Sequence, residues 1–131
     1  MANLDNYFRQ HKEISELINS IKAMTLSDLV SNSKEIAVAL NNLSGKLKVH
    51  LSMEDKYLYP SLKSKIESKN LAEKFENEMG HLAKEFLSYK DRYNTYVKIS
   101  ENALNFKNET SKIMKALEDR MFREEKDLYI I

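Results

Sequence analysis

The sequence predicts an all-α protein, an antiparallel up-down-up-down four-helix bundle in which residues 1–131 form one domain. Two glycines and one proline among 131 residues leave few turn signals, which disfavours an all-β fold with its many tight loops. Apolar side chains recur at helical spacing along most of the chain. Four such segments joined by short connections pack most simply as antiparallel neighbours.

The first half of the chain predicts two amphipathic helices. The first spans about residues 4 to 23, and its apolar face comprises Leu4, Tyr7, Phe8, Ile14, Leu17, Ile18 and Ile21. The second is expected to begin near Ser27 or Ser31, which are suitable N-caps, and to end or kink near Pro60, which lacks a backbone donor. Its seam alternates steps of four and three residues and comprises Ile36, Leu40, Leu43, Leu47, His50, Glu54 and Tyr57.

The second half predicts two more helices of the same kind. The apolar positions of the third helix are Leu71, Phe75, Leu82, Phe86, Tyr89, Tyr93 and Tyr96. Those of the fourth helix are Ile99, Ala103, Phe106, Ile113, Leu117 and Leu128. Both sets have the spacing of a helix with one buried face.

An internal repeat relates the two halves. A shift of 70 residues places His11 on His81 and Glu54 on Glu124, with apolar residues matching around them. One position breaks the match, because the shift places His50 on Arg120. A two-helix unit duplicated into a pseudo-twofold bundle would bring equivalent polar residues together in the core.

Composition excludes several classes of function. The 21 basic residues nearly balance the 20 acidic ones and are scattered, so no basic face indicates a nucleic-acid partner. No apolar run approaches the roughly 18 residues that a membrane span needs. The chain has no cysteine, which excludes thiolate metal sites and disulfides and fits a reducing compartment. We therefore expect a cytoplasmic protein with no nucleic-acid or membrane partner.

The histidines and two glutamates are the candidate chemical groups. All three histidines, His11, His50 and His81, lie on or beside apolar stripes, each in a different predicted helix. Glu54 follows His50 by one turn on the same face, and Glu124 is in register with the apolar stripe of the fourth helix. Any one of them alone fits an ordinary hydrogen-bonded core residue. As a set, buried imidazoles and carboxylates in a bundle core indicate a site for divalent iron, manganese or zinc.

These motifs resemble the hemerythrin domain, also called the HHE cation-binding domain, from about Tyr7 to Tyr129. That family has one histidine on the first helix, His-x3-Glu on the second, one or two histidines on the third, and a histidine with a carboxylate on the fourth. His11 matches the first-helix ligand, and the segment HLSMEDKYLYP, residues 50–60, matches the second-helix motif. His81 matches the third helix and Glu124 the bridging carboxylate of the fourth, with Glu125 as the alternative.

The resemblance implies a non-heme centre of two irons, bridged by carboxylates and capped by histidines, with an open position for dioxygen. Glu85 stands where some members have a second third-helix histidine, and Arg120 stands where the fourth-helix histidine should be. In one outcome, Glu85 and Glu78 supply oxygen ligands and both metals are kept. In the other, the guanidinium of Arg120 takes the place of one cation, because arginine has no lone pair to donate. That outcome leaves one metal on His11, His50 and Glu54, or none.

Three functions follow from these alternatives. The first is a monomer or weak homo-oligomer whose partner is a small molecule, dioxygen or a related oxidant, which it binds or senses at iron. The second is an enzyme that uses the same centre to handle peroxide or nitric oxide, or to repair damaged iron sites. The third is a degenerate signalling bundle, with one metal ion or none, in which Arg120 replaces a metal.

Overall fold

A computed structural model describes residues 4–130 of the chain and confirms the predicted all-α fold class. No strand occurs among these residues. The α-helices are α1 (Leu4–Asp28), α2 (Ser33–Met53), α3 (Tyr59–Lys63), α4 (Ile66–Arg92), α5 (Tyr96–Glu101) and α6 (Ala103–Arg123). Two π-helical segments follow α2 and α6, at Glu54–Leu58 and Glu124–Leu128. The two ends of the predicted domain, residues 1–3 and residue 131, lie outside the described residues.

Helix α1 begins at Leu4 as predicted but continues past the expected end near residue 23 to Asp28. Helix α2 begins at Ser33, two residues after Ser31 and six after Ser27, the two predicted starts. The Asp28 carboxylate accepts hydrogen bonds from the backbone N–H of Ser31 at 3.2 Å and from its hydroxyl at 2.9 Å. These side-chain bonds stabilise a turn in place of a helical start.

Two further boundaries differ from the prediction. Pro60 lies in the first turn of α3, where a helix needs no backbone donor, so the chain remains helical through it. The third predicted helix ends at Arg92, and a separate short helix starts at Tyr96. Thr95 caps that short helix by accepting a hydrogen bond from the N–H of Lys98 at 3.3 Å.

The helices enclose two apolar clusters with polar residues between them along the chain. Helix α1 packs along α2, and α6 contacts both α1 and α4. The larger cluster includes Ile14 and Leu47, and the smaller one includes Tyr7 and Leu58. Along the chain, His11 falls between Tyr7 and Ile14. His50 and Glu54 fall between Leu47 and Leu58. The buried polar side chains therefore interrupt the apolar stripe at the same level of neighbouring helices.

Among residues 4–130, no helix is both long enough and apolar enough to span a membrane.

Candidate metal centre

Two imidazoles from neighbouring helices form the centre of the site. His11 lies on the buried face of α1 between Tyr7 and Ile14, and His50 lies on the buried face of α2. The rings are 2% and 3% exposed, and their Nε2 atoms are 3.1 Å apart. Helical spacing thus brings two nitrogen donors together inside the protein.

The outer nitrogen of each ring is held by a hydrogen-bond acceptor. The Nδ1–H of His11 donates to Glu125 Oε2 at 2.7 Å, and the Nδ1–H of His50 donates to Gln10 Oε1 at 2.6 Å. The amide nitrogen of Gln10 in turn donates to the sulfur of Met53 at 2.8 Å, which fixes the direction of its carbonyl. In the neutral rings, this arrangement leaves the lone pair on Nε2, the tautomer of metal-ligating histidines.

Two buried carboxylates face the same point. Glu54 and Glu124 are the first residues of the two π-helical segments, and they are 0% and 1% exposed. Glu124 Oε1 lies 2.8 Å from His11 Nε2 and 3.5 Å from His50 Nε2. Glu54 Oε2 lies 3.4 Å from His50 Nε2. His11, His50 and Glu124 each offer one ligand atom, and these three atoms lie within 4.8 Å of one another.

The hydroxyl of Tyr129 lies in the middle of these four groups. Its oxygen is 2.8 Å from Glu54 Oε2, 3.1 Å from Glu124 Oε1, 3.1 Å from His11 Nε2 and 3.4 Å from His50 Nε2. The phenol has a single hydrogen to donate. When both imidazoles are neutral, several acceptor atoms therefore share one polar hydrogen, and a bound cation would satisfy them.

Arg120 lies on the other side of Glu124 and is fully enclosed. Its Nε donates to Glu124 Oε2 at 3.0 Å, and one terminal nitrogen donates to the Tyr59 hydroxyl at 3.0 Å and the Phe75 carbonyl at 2.8 Å. The guanidinium also lies over the Phe75 ring, 4.5 Å from its centroid, and the side chain is only 5% exposed. The other terminal nitrogen is 3.6 Å from Glu78 Oε1. Arg120 therefore points inward as a buried cation.

The pKa values of the two carboxylates shift in opposite directions because their neighbours differ. Burial favours the neutral form of Glu124, but hydrogen bonds with His11 and His50 and the nearby Arg120 charge hold its pKa far below the usual range. Burial and the charge of Glu124 raise the pKa of Glu54, although contacts with His50 and Tyr129 oppose the shift. Burial alone would lower the pKa of His50, but hydrogen bonds with Glu124 and Glu54 raise it to about 9.

The donor set fits a transition-metal ion. Two imidazole nitrogens and two carboxylates suit iron, manganese or zinc. Within residues 4–130, Glu54 Oε1 is a buried oxygen without a hydrogen-bond partner, and such an atom costs about 1–3 kcal/mol unless something binds it. One terminal nitrogen of Arg120 is likewise buried without a hydrogen-bond partner. A cation bound beside Glu54 would give the unpartnered Oε1 atom a partner.

Not all of the predicted site residues come together. The structure brings His11, His50, Glu54 and Glu124 into one cluster, as expected. It places His81 and Glu85 on the exposed side of α4, so the expectation that His81 meets the other two imidazoles is corrected. Two of the remaining candidates support the cluster from outside: Glu125 holds His11, and Glu78 accepts a hydrogen bond from Arg123 at 2.8 Å and lies near Arg120.

The register of α4 explains the exposure of His81. At a shift of 70 residues, buried positions of α2 coincide with buried positions of α6, including the pair His50 and Arg120. The buried faces of α1 and α4 coincide instead at a shift of 68 residues. The pairs at that shift are Tyr7 with Phe75, His11 with Met79, Ile18 with Phe86, and Ile21 with Tyr89. Met79, not His81, is thus the counterpart of His11, and His81 lies about 200° around the helix from it.

Sequence reasoning missed Tyr129 and Gln10, and it favoured a packing role for Tyr59. The repeat pairs Tyr59 with Tyr129, and that pairing was the available signal, but tyrosines at helical spacing are usually core residues. Gln10 has no such signal, because only the packed structure places its carbonyl against His50.

Comparison with known protein families decides the classification. The model of the hemerythrin HHE cation binding domain matches residues 2–129, which is nearly the whole chain. The chain belongs to the hemerythrin family. No curated protein and no solved structure matches this hemerythrin sequence significantly. Membership implies cation binding, and the His11, His50 and Glu124 cluster is a candidate position for the ion.

Proposed function

We propose that this hemerythrin binds one non-heme iron ion through His11, His50, Glu54 and Glu124, and binds or senses dioxygen or a related small oxidant there. Iron would supply a centre that changes oxidation state and offers a coordination position to a small ligand. The protein would supply the fixed donor atoms and an environment that excludes water.

The observation that supports this proposal best is the convergence of acceptor atoms. His11 Nε2 and His50 Nε2 are 3.1 Å apart while both outer nitrogens are engaged as donors. Two buried carboxylates share the same space, and the hydroxyl of Tyr129 lies between them. Such a cluster is costly without a cation, because buried lone pairs need a partner.

The number of metal ions is proposed as one, although the family resemblance led to an expectation of two. In the second half of the repeat, Arg120 and Met79 stand at the positions of His50 and His11. Neither offers an imidazole, and a fixed positive charge within a few Å of a second dication repels it strongly at low dielectric. The two-iron arrangement would also need His81 or Glu85, which are exposed.

The finer features of the architecture belong to the same proposal. We propose a single-domain antiparallel four-helix bundle formed by α1, α2, α4 and α6, with pseudo-twofold symmetry. Its main support is that the π-helical segments Glu54–Leu58 and Glu124–Leu128 occur at the same place in each half, 70 residues apart. A cytoplasmic monomer or weak homo-oligomer, acting on a small molecule rather than nucleic acid or membrane, completes the proposal.

Metal content tests the proposal directly. The purified protein is stripped with a chelator, loaded with ferrous iron without oxygen, desalted and analysed for iron per chain. We expect one iron per chain in the wild type and in His81→Gln, whose side chain is exposed. His11→Gln should weaken iron affinity by more than about 100-fold, since even changes to residues that only orient metal ligands cost about 10–100-fold.

Each other outcome has a definite meaning. Well-folded wild type that binds no iron would refute the function, and two irons per chain would refute the single-ion site. Equal losses in His81→Gln and His11→Gln would refute the assigned ligands. The loaded protein is then exposed to dioxygen or peroxide. A spectral change that reverses on removing dioxygen supports binding or sensing, whereas sustained consumption of peroxide would indicate an enzyme instead.

A further inference from the structure

We infer that Tyr129 is a direct ligand of the metal ion, through its phenolic oxygen. The inference rests on the proposed iron site and adds a fifth protein donor to it. The phenolic oxygen is within 3.4 Å of one donor atom from each of the four other ligand residues. An ion that bound those four atoms would therefore have the Tyr129 oxygen in contact range as well.

The phenol is held in this position by its surroundings. The Tyr129 ring stacks on the ring of Tyr7 with centroids 5.5 Å apart and meets the edge of Phe8 at 5.5 Å. Its backbone N–H donates to the Glu124 carbonyl at 2.8 Å, and the residue is 3% exposed. A packed aromatic side chain with a tethered backbone cannot turn away from the site without disrupting both contacts.

The other half of the repeat supplies an independent comparison. Tyr59 is the repeat counterpart of Tyr129, and its hydroxyl accepts a hydrogen bond from the buried guanidinium of Arg120 at 3.0 Å. The counterpart of Arg120 is His50, whose Nε2 lies 3.4 Å from the Tyr129 oxygen and can ligate a metal ion, as a guanidinium cannot. Each buried tyrosine oxygen thus faces the place of a cation: the guanidinium for Tyr59, and the metal for Tyr129.

The binding step is an exchange of a proton for a metal ion. The metal–oxygen bond forms as the phenolic O–H bond breaks, and the proton leaves to solvent. No electron is transferred in this step. The phenolate adds a third anionic oxygen donor to Glu54 and Glu124, and hard anionic donors favour the ferric over the ferrous ion.

Optical spectroscopy of the ferric protein tests the inference, because phenolate-to-iron charge transfer gives a visible band that imidazole and carboxylate ligands do not. Wild-type protein loaded with one iron per chain and oxidised should show this band, with resonance-enhanced phenolate vibrations. Tyr129→Phe should keep its iron but lose the band, and its reduction potential should rise. Tyr89→Phe is the matched control, since Tyr89 is a buried phenol bonded to Thr110 at 2.7 Å, away from the site. It should keep the band.

The outcomes separate this inference from the proposed function. Ferric wild type with bound iron but no visible band, or a band that persists in Tyr129→Phe, overturns the ligand assignment and leaves the iron site standing. Wild type that binds no iron overturns both. If the band is lost in Tyr59→Phe and kept in Tyr129→Phe, Tyr59 is the ligand and the inference is overturned. If Tyr129→Phe does not fold, ring-deuterated tyrosine in the wild type should shift the enhanced vibrations, and unshifted vibrations refute the inference.

Discussion

Replacing Arg120 by methionine should destabilise the protein far more than replacing its surface neighbour Arg123. Arg120 is 5% exposed and donates to Glu124, Tyr59 and the Phe75 carbonyl at 2.8–3.0 Å. Methionine has a similar length but no charge or donor, so the variant leaves the Glu124 carboxylate buried without the guanidinium that donates to its Oε2.

The expected loss follows from the burial of the pair. Breaking a buried ion pair by removing one partner costs about 3–5 kcal/mol, because the remaining charge is uncompensated. For a domain of this size, that loss lowers Tm by on the order of 10–20 °C. The Arg123 side chain is 40% exposed and pairs with the half-exposed Glu78 at 2.8 Å, so Arg123→Met should cost only about 0–1 kcal/mol.

Urea unfolding of chelator-treated protein at neutral pH, followed by circular dichroism, measures both losses. Adding manganous ion in place of chelator should recover more stability in Arg120→Met than in wild type, since an ion beside Glu124 offsets the missing guanidinium. A loss below about 1 kcal/mol in Arg120→Met, equal to that of Arg123→Met, would refute the view that Arg120 is an internal cation balancing Glu124.

Two further predictions address the number of ions and the effect of pH. Met79→His combined with Arg120→His should raise the iron content, measured by elemental analysis, towards two per chain, because Met79 and Arg120 are the counterparts of His11 and His50. The Arg120→His variant alone should stay near one iron per chain. An equal gain in the single and the double variant would refute the 68-residue register of α4. In metal-free protein, the raised pKa of His50, about 9 against 6.5, contributes stability that is complete below pH 6.5 and disappears as pH rises towards 9. Urea unfolding across this range should show a loss on the order of 3 kcal/mol, and His50→Gln should flatten it; a wild-type profile as flat as that of the variant would contradict the linkage.

Helical spacing alone predicted that two residues of the site share a face. His50 and Glu54 are one turn apart in an apolar stripe that continues through α2, so their common face follows from spacing alone. Glu124 was found because the sequence around it repeats the sequence around Glu54 with apolar residues in the same places. Such local periodicity is a physical constraint, since burial of one face fixes the orientation of every side chain on it.

The prediction that His81 joins the site was wrong, because it assumed one shift for all the helices. The shift of 70 residues is set by α2 and α6, but the connections between helices differ in length between the halves, so α1 and α4 pair with a different register. The apolar stripe of α4 runs through Phe75 and Met79 to Phe86, and His81 is not on it. The break after Arg92 and the widened turns after Met53 and Arg123 were equally absent from the prediction, because they depend on packing between helices rather than on spacing within one.

The widened turns at Glu54–Leu58 and Glu124–Leu128 change the angle between residues that are five apart in the sequence. In a regular α-helix, residues five apart point about 140° away from each other. Here the N–H of Tyr129 bonds to the carbonyl of Glu124, five residues earlier, and Tyr59 bonds to Glu54 in the same way. In the second segment, this bonding brings the Tyr129 hydroxyl within 3.1 Å of Glu124 Oε1 on one side of the helix. Each widened turn holds one residue more than a regular helical turn, so exchanging side chains on an unbroken helix would not reproduce this arrangement.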